Sequence, residues 1–271
     1  MPSYVITGAS RGIGWEFLRQ LSGDPKNTII GIVRNKSPTQ EKVTEELPER
    51  TNIHILQADI TDYTALEAAA VETATITGGR LDYLIANAGL VSKFDAYDSI
   101  GVLGQQPEAL EKSLSENIKI NVTGNIHLFN LFMPLILKGE VKKVIAISSG
   151  QASLDAISEL GIEVAPLYAI SKAGLNAAVA KFSAQYVKDG VLCMSICPGM
   201  VDTGHFADAT EEQQKGLAGM LGAFARYAPD FKGPTPPETA VKDVISVIEK
   251  ASAKGGDGGS FVSHFGNQRW L

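Results

Sequence analysis

Short apolar runs rich in β-branched residues recur along the chain, at Tyr4–Thr7, Thr28–Val33, Ile53–Gln57, Tyr83–Ala86, Lys143–Ser148, Leu192–Ile196 and Ser260–Val262. Runs of this length and composition read as strands. The intervals between them carry apolar positions at helical spacing, roughly Gly12–Leu21, Thr39–Glu46, Ala65–Thr75, Pro107–Lys138, Ala169–Lys188, Thr210–Tyr227 and Glu238–Ala253. Thr64-Ala-Leu-Glu67 has the form of a capping box and predicts the start of the third helix. Strands that alternate with helices imply βαβ crossovers, hence a doubly wound α/β fold: seven parallel strands with helices on both faces. No linker, repeat or low-complexity tract divides the pattern, and Gly255–Gly259 reads as a turn before the last strand. Residues 1–271 are therefore expected to form one domain.

Composition narrows the function classes. The chain has 271 residues, 44% hydrophobic and 20% charged, enough apolar material for a sizeable core. A net charge of −6 without any basic run argues against a nucleic-acid surface. The longest apolar patch, Leu128–Leu137, contains Asn130 and Pro134 and is too short to span a bilayer. Ser3–Thr7 already reads as strand and leaves no room for a leader, so a cytoplasmic location is expected. Cys193 and Cys197 fall on one alternating strand with Cα atoms roughly 13 Å apart, beyond the reach of about 7 Å that a disulfide needs. Both read as small core residues. The four histidines are scattered without ligand spacing, so no metal is expected.

A doubly wound sheet binds ligands beyond the carboxyl ends of its strands. The first such place reads TGASRGIG, Thr7 to Gly14, between a strand and a helix. There Gly8 would permit a sharp turn, Gly12 a close approach to a pyrophosphate, and Gly14 close packing of helix on sheet. The helix amino end would hold the phosphates. After the second strand the chain reads Ile32-Val33-Arg34-Asn35-Lys36, where an NAD enzyme of this architecture usually carries an acid. Arg34 and Arg11 could instead embrace a 2′-phosphate, which favours NADP(H). Either arginine alone is more often a solvated surface charge; both together, beside a missing acid, carry the reading.

Tyr168 and Lys172, in YAISK, would sit one helical turn apart on one face. Such a pair arises often by chance. It acquires meaning from the ordered set around it: TGASRGIG, Asp59-Ile60, Asn87-Ala88-Gly89, Asn121, Ser148-Ser149, Tyr168-x-x-x-Lys172 and Pro198-Gly199. Over essentially its whole length the chain resembles the short-chain dehydrogenases/reductases, in their single-domain form. The phrases MPSYVITGASRGIG, IIGIVRN and GGSFVSHFGNQRWL look most like the carbonyl-reductase-like group that includes fungal ketoreductases of secondary metabolism.

That resemblance implies a Rossmann-like fold and an oxidoreductase acting on a carbonyl or alcohol. Tyr168 would be the general acid, and Ser149 would hydrogen-bond the substrate oxygen. Lys172 would hold the nicotinamide ribose and lower the phenol pKa, and Asn121 would bind a water linking Lys172 to solvent. Gly8, Ser10, Arg11, Gly12, Ile13, Gly14, Arg34 and Asn35 would contact the cofactor. Asp59 and Ile60 would flank adenine, Asn87, Ala88 and Gly89 would line the cofactor, and Pro198, Gly199, Val201 and Thr203 would lie at its nicotinamide end. Relatives form dimers or tetramers through the helices at 107–138 and 169–188, so a homodimer or homotetramer is expected. Residue by residue, plainer readings stand beside these. Ser148 could replace Ser149, Asn121 could be a surface amide, Asp59 could merely end a strand, and Pro198-Gly199 would suit any turn.

One departure is the interval from Ser149 to Tyr168, eighteen residues and longer than the family usually shows. Its segment LDAISELGIEVAP should border the substrate pocket and could shape specificity or displace Ser149. The other wall would be a lid at about 200–235. Phe206, Leu217, Met220, Leu221, Phe224 and Tyr227 there suit a bulky apolar or aromatic ketone, although such a stripe also suits a core. Two rivals differ in kind. An epimerase or dehydratase of the extended branch would show TGxxGxxG and a longer carboxyl-terminal part. A nucleotide-binding scaffold or redox sensor would bind NADP(H) without turnover.

Overall fold

A computed structural model describes residues 1–271. Seven strands form one parallel sheet: β1 (Ser3–Thr7), β2 (Thr28–Val33), β3 (Ile53–Gln57), β4 (Tyr83–Ala86), β5 (Lys143–Ile147), β6 (Leu192–Cys197) and β7 (Phe261–Ser263). Their order is β3-β2-β1-β4-β5-β6-β7. The order reverses between β1 and β4, which opens a crevice beyond their carboxyl ends. β5 and β6 are buried along their entire length, as strands covered on both faces must be.

Ten α-helices cover the faces: α1 (Gly12–Leu21), α2 (Lys36–Glu46), α3 (Tyr63–Thr77), α4 (Ile100–Leu103), α5 (Pro107–Ile118), α6 (Gly124–Ile136), α7 (Leu154–Leu160), α8 (Pro166–Tyr186), α9 (Glu211–Tyr227) and α10 (Pro237–Lys250). On one face Phe17 and Leu18 of α1 and Val241, Val244 and Ile248 of α10 pack on Ile6, Ile29 and Ile145. On the other, Leu66 of α3, Phe129 and Phe132 of α6, and Leu175 and Val179 of α8 pack on Val5, Leu84 and Val144. Each fully buried aromatic contributes about 1.5–3 kcal/mol. Helices α1 and α10 therefore hold the strands from one side, and α3, α6 and α8 from the other.

The expected strands appear to within one residue, but several helical details differ. The predicted capping box at Thr64 does not form. α3 begins at Tyr63, and the carboxylate of Asp62 accepts the Ala65 N–H at 3.0 Å. An acid at a helix amino end gains from the dipole as well as the hydrogen bond. The helix expected over 107–138 is interrupted by a five-residue π turn, Lys119–Thr123, between α5 and α6. Apolar spacing does not register one wider turn. α8 starts at Pro166, three residues early, with proline in the first turn where its missing N–H costs nothing. α4 and α7 had no counterpart in the pattern because four and seven residues are too few to show a period. No helix is long and apolar enough to cross a membrane.

Candidate active site

The carboxyl ends of β1 to β6 converge on a cavity of about 750 Å³. Gly8 turns the chain after β1 with φ +69, a left-handed conformation that a side chain disfavours. At Gly14 any Cβ would run into the Gly8 carbonyl oxygen, so only glycine lets α1 approach the strand this closely. Asn87 locks this loop to the end of β4. Its Nδ2 donates to the Thr7 carbonyl at 3.0 Å, and the Asn87 and Ala88 N–H groups donate to Thr7 Oγ1 at 3.1 and 3.0 Å.

At the outer end, Ser10, Arg11, Gly12, Ile13, Arg34, Asn35, Asp59 and Ile60 line the cavity, with both arginines exposed. Asp59 accepts the Thr61 N–H and hydroxyl, each at 2.8 Å. Burial alone would push its carboxyl up. The two Thr61 bonds, with Arg34 and Lys119 nearby, outweigh that and hold it below the usual carboxylate range.

At the inner end, Ser149 follows β5 and Tyr168 and Lys172 lie on α8. The Ser149 hydroxyl accepts the Gln151 N–H at 3.3 Å. It also lies near enough to the Tyr168 phenol to draw the phenol pKa down. Lys172 is 4% exposed and donates from Nζ to the Ile147 carbonyl at 2.8 Å. Its Nζ lies 5.7 Å from the centre of the Tyr168 ring. The expected lowering of the phenol by Lys172 is not found in the protein alone. Burial dominates and pushes Tyr168 well above the ordinary tyrosine value, with Cys197 adding to the rise. Burial likewise pulls the Lys172 ammonium down to about 8. The phenol thus keeps its proton at neutral pH, as a proton donor must.

Asn121 and Gly14 do not line the cavity, whereas Asn87, Ala88, Gly89, Pro198, Gly199, Val201 and Thr203 do. Asn121 sits fully buried in the π turn, not on a helix surface. Its Oδ1 accepts the Leu90 N–H at 2.7 Å, and its Nδ2 donates to the Leu90 carbonyl at 2.9 Å and to Ser171 Oγ at 2.8 Å. These bonds clamp the segment after β4 to α8 beside Lys172. A Cβ on Gly89 would come within 3.1 Å of Asn121 Oδ1 and 3.3 Å of Lys172 Nζ, so the bare backbone there lets both groups approach. Ser148 Oγ is buried without a hydrogen-bond partner.

The walls of the inner end come from distant sequence. The long segment after Ser149 contributes Ala156, Leu160 and Ile162, and residues after β6 contribute His205, Phe206, Met220 and Phe224. Leu217, Leu221 and Tyr227 of the expected stripe stay outside the lining. Three wall features had no clear signal. Trp270 stacks on Phe261 with centroids 4.4 Å apart, and its main-chain N–H donates to the Tyr227 hydroxyl at 3.4 Å. Gln151 donates to Met220 Sδ at 3.5 Å. Cys197 is a buried core residue, as expected, but also part of the lining, with its Sγ accepting the Gly150 and Gly199 N–H groups at 3.0 and 3.4 Å. Burial pushes its thiol up to about 11. Its place immediately before Pro198-Gly199 is the one sequence signal that pointed there.

A profile of the short chain dehydrogenases matches residues 3–214. The chain belongs to this family. Among curated dehydrogenases, it is 63% identical over 271 residues to "Short chain dehydrogenase virK" of Hypocrea virens, covering 100% of both chains. It is 52% identical over 272 residues to "Short-chain dehydrogenase/reductase iacC" of Pestalotiopsis fici, again covering 100% of both. The dehydrogenase fold is shared with an NADPH-bound carbonyl reductase from chicken fatty liver, at TM-score 0.77 and 24% identity, with 98% of each chain covered. The carbonyl reductase Sniffer of D. melanogaster follows at TM-score 0.76 and 23% identity, also covering 98% of each chain. The chain is therefore an oxidoreductase of a family that uses a nicotinamide cofactor.

Proposed function

We propose that the chain is an NADPH-dependent carbonyl reductase that converts a ketone or aldehyde on a bulky apolar or aromatic substrate to an alcohol. The observation that carries this reading is the convergence of Ser149, Tyr168 and Lys172 at the inner end of a cavity that reaches the glycine loop, with the Lys172 Nζ 5.7 Å from the Tyr168 ring centre.

The residues present fit the cofactor. The glycine loop offers a backbone cradle, and a Cβ at Gly14 would collide with the Gly8 carbonyl and break the packing that shapes it. Arg11 and Arg34 line the outer end, where they would meet a 2′-phosphate, and the one acid in the lining, Asp59, already binds Thr61. Asp59 and Ile60 would flank adenine, and Val201 and Thr203 would hold the carboxamide. When bound, the nicotinamide supplies the hydride.

This chain's own groups would do the rest. Ser149 orients the carbonyl oxygen by a hydrogen bond, and Tyr168 gives that oxygen its proton. Lys172 spends one of its three N–H donors on Ile147 and keeps the others for ribose hydroxyls. Asn121 would steady the lysine by holding the backbone after β4. Leu160, Phe206, Met220 and Phe224 exclude water from the reacting atoms and favour an apolar substrate.

Residues 1–271 would act as one catalytic domain, with 200–235 as a lid. The chain would work in the cytoplasm as a homodimer or homotetramer, for which α8 offers the 45% exposed Ile170. The resemblance to fungal ketoreductases suits a role in secondary metabolism. Stopped-flow NADPH oxidation with a panel of aryl ketones and quinones tests the reading. Turnover with NADPH, and far weaker turnover with NADH, is expected. Tight NADPH binding without turnover of any carbonyl would favour a nucleotide-binding scaffold instead.

A further inference from the structure

Asp95 lies between β4 and α4, more than seventy residues before Tyr168, and is wholly buried. No cation pairs with it. Its Oδ1 accepts the Leu167 N–H at 2.8 Å and its Oδ2 accepts the Tyr168 N–H at 2.7 Å. Its main-chain carbonyl accepts the Ala165 N–H at 3.1 Å. The first turn of a helix has N–H groups with no partner inside the helix. In α8, Pro166 has none to offer, and Ala165, at the capping place, has no side chain to accept any. Asp95 therefore caps the helix from a remote segment.

Two further observations give this cap a functional sense. Ala165 adopts φ +56, a left-handed conformation uncommon for a residue with a Cβ, three residues before the phenol. Such strain persists only where its surroundings enforce it. The segment that carries Asp95 also touches the proposed lid. The Tyr97 ring meets Phe206 edge-on at 5.9 Å, and the Tyr97 carbonyl sits where any Cβ on Gly216 of α9 would be. Lys93 pairs with Asp208 at 3.7 Å.

We propose that Asp95 is a positioning residue for Tyr168: its carboxylate fixes the tyrosine's own amide, so that a strut from Lys93 to Tyr97 ties the phenol's place to that of residues 200–235. This rests on the reductase reading above. Proton donation demands placement to within about 0.5 Å, and a misplacement of about 1 Å can cost on the order of 100-fold in rate.

Asp95→Asn keeps the size of the side chain but turns one acceptor into a donor that faces a backbone N–H. In the full-length variant kcat should fall at least tenfold, NADPH affinity should stay within twofold, and the solvent deuterium isotope effect on kcat should rise as proton transfer becomes slower. A purely structural cap would lower the active fraction and leave kcat per active site and its isotope effect unchanged, and that result overturns the proposal. Amide exchange in the wild type supplies a readout that needs neither the variant nor turnover. The Leu167 and Tyr168 amides should exchange as slowly as the middle of α8, and first-turn rates typical of free amides would overturn the proposal. If the wild type reduces no carbonyl, the reductase reading falls by itself. The positioning claim is then decided by those exchange rates and by crystal structures of wild type and Asp95→Asn, where an unmoved Tyr168 side chain refutes it.

Discussion

At the amino-terminal end of the sheet, Asp82 is buried and fully engaged. It accepts the N–H groups of Ser3, Glu140 and Val141 and the Ser3 hydroxyl at 2.8 to 3.3 Å, so that one carboxylate ties together the starts of β1, β4 and β5. Lys143 nearby caps α10 through the Ile248 carbonyl at 2.7 Å, and Tyr4 stacks on Tyr83 at 4.4 Å. The carboxyl-terminal end of the same strands is built differently. Ser148 Oγ, Gln151 Oε1 and His205 Nε2 are buried there without partners, and Gly8, Gly12 and Gly199 hold left-handed turns. At one end the buried carboxylate and lysine are engaged within the protein, and the other leaves donors, acceptors and space. The two buried aspartates mark the contrast. At Asp82 four donors overcome burial and hold the carboxyl below its usual range, while at Asp95 two donors do not, and burial pushes it up.

Substitutions at the two ends should therefore separate stability from turnover. Asp82→Ala would orphan donors from two strand starts, Ser3 and Glu140–Val141, and should cost about 3 kcal/mol or more. Chemical denaturation should show that loss, with kcat of the folded fraction within twofold of wild type. A fall in kcat with unchanged stability would break the comparison.

The next effect is smaller and depends on pH. Burial depresses the folded-state pKa of Lys172 to about 8, whereas an unfolded lysine titrates near 10.4. Between those values the unfolded chain holds more protons, so this lysine's contribution to stability rises with pH across that window. NMR of lysine labelled at Cε should show one signal titrating near 8, absent from Lys172→Met, and a Lys172 signal moving only above 10 would contradict the burial argument. The smallest effect is at Ala165. Glycine there would relieve a left-handed penalty of about 1–2 kcal/mol and lose about 0.4–1 kcal/mol to chain entropy. The melting temperature should rise slightly, and a decrease would show that Ala165 is not strained.

The same contrast explains what the sequence could reveal. Strand positions were readable because a strand buried on both faces needs an unbroken apolar run, as Val144–Ile147 and Leu192–Ile196 show. Residues immediately after strands were readable for the same reason, and so Gly8, Asn87, Ser149 and Pro198 could be numbered in advance. The pair Tyr168 and Lys172 needed helical spacing together with the ordered motifs around it. What escaped depends on chain-distant contact. Asp95 caps a helix that starts at Pro166, and Trp270 forms a wall beside Cys197 and Ala156. The π turn at Lys119–Thr123 escaped because one extra residue per turn barely disturbs an apolar stripe. The altered balance at Tyr168, burial over ammonium, required knowing how closely the chain encloses the ring.

The central claim is that one buried phenol donates the proton that completes carbonyl reduction. Tyr168→Phe removes that proton and little else. Single-turnover NADPH oxidation with a ketone that the wild type reduces should slow by about 100-fold to 10,000-fold, the usual contribution of a positioned acid, while NADPH binding measured by fluorescence stays within twofold. A variant that oxidises NADPH at the wild-type rate would contradict the account.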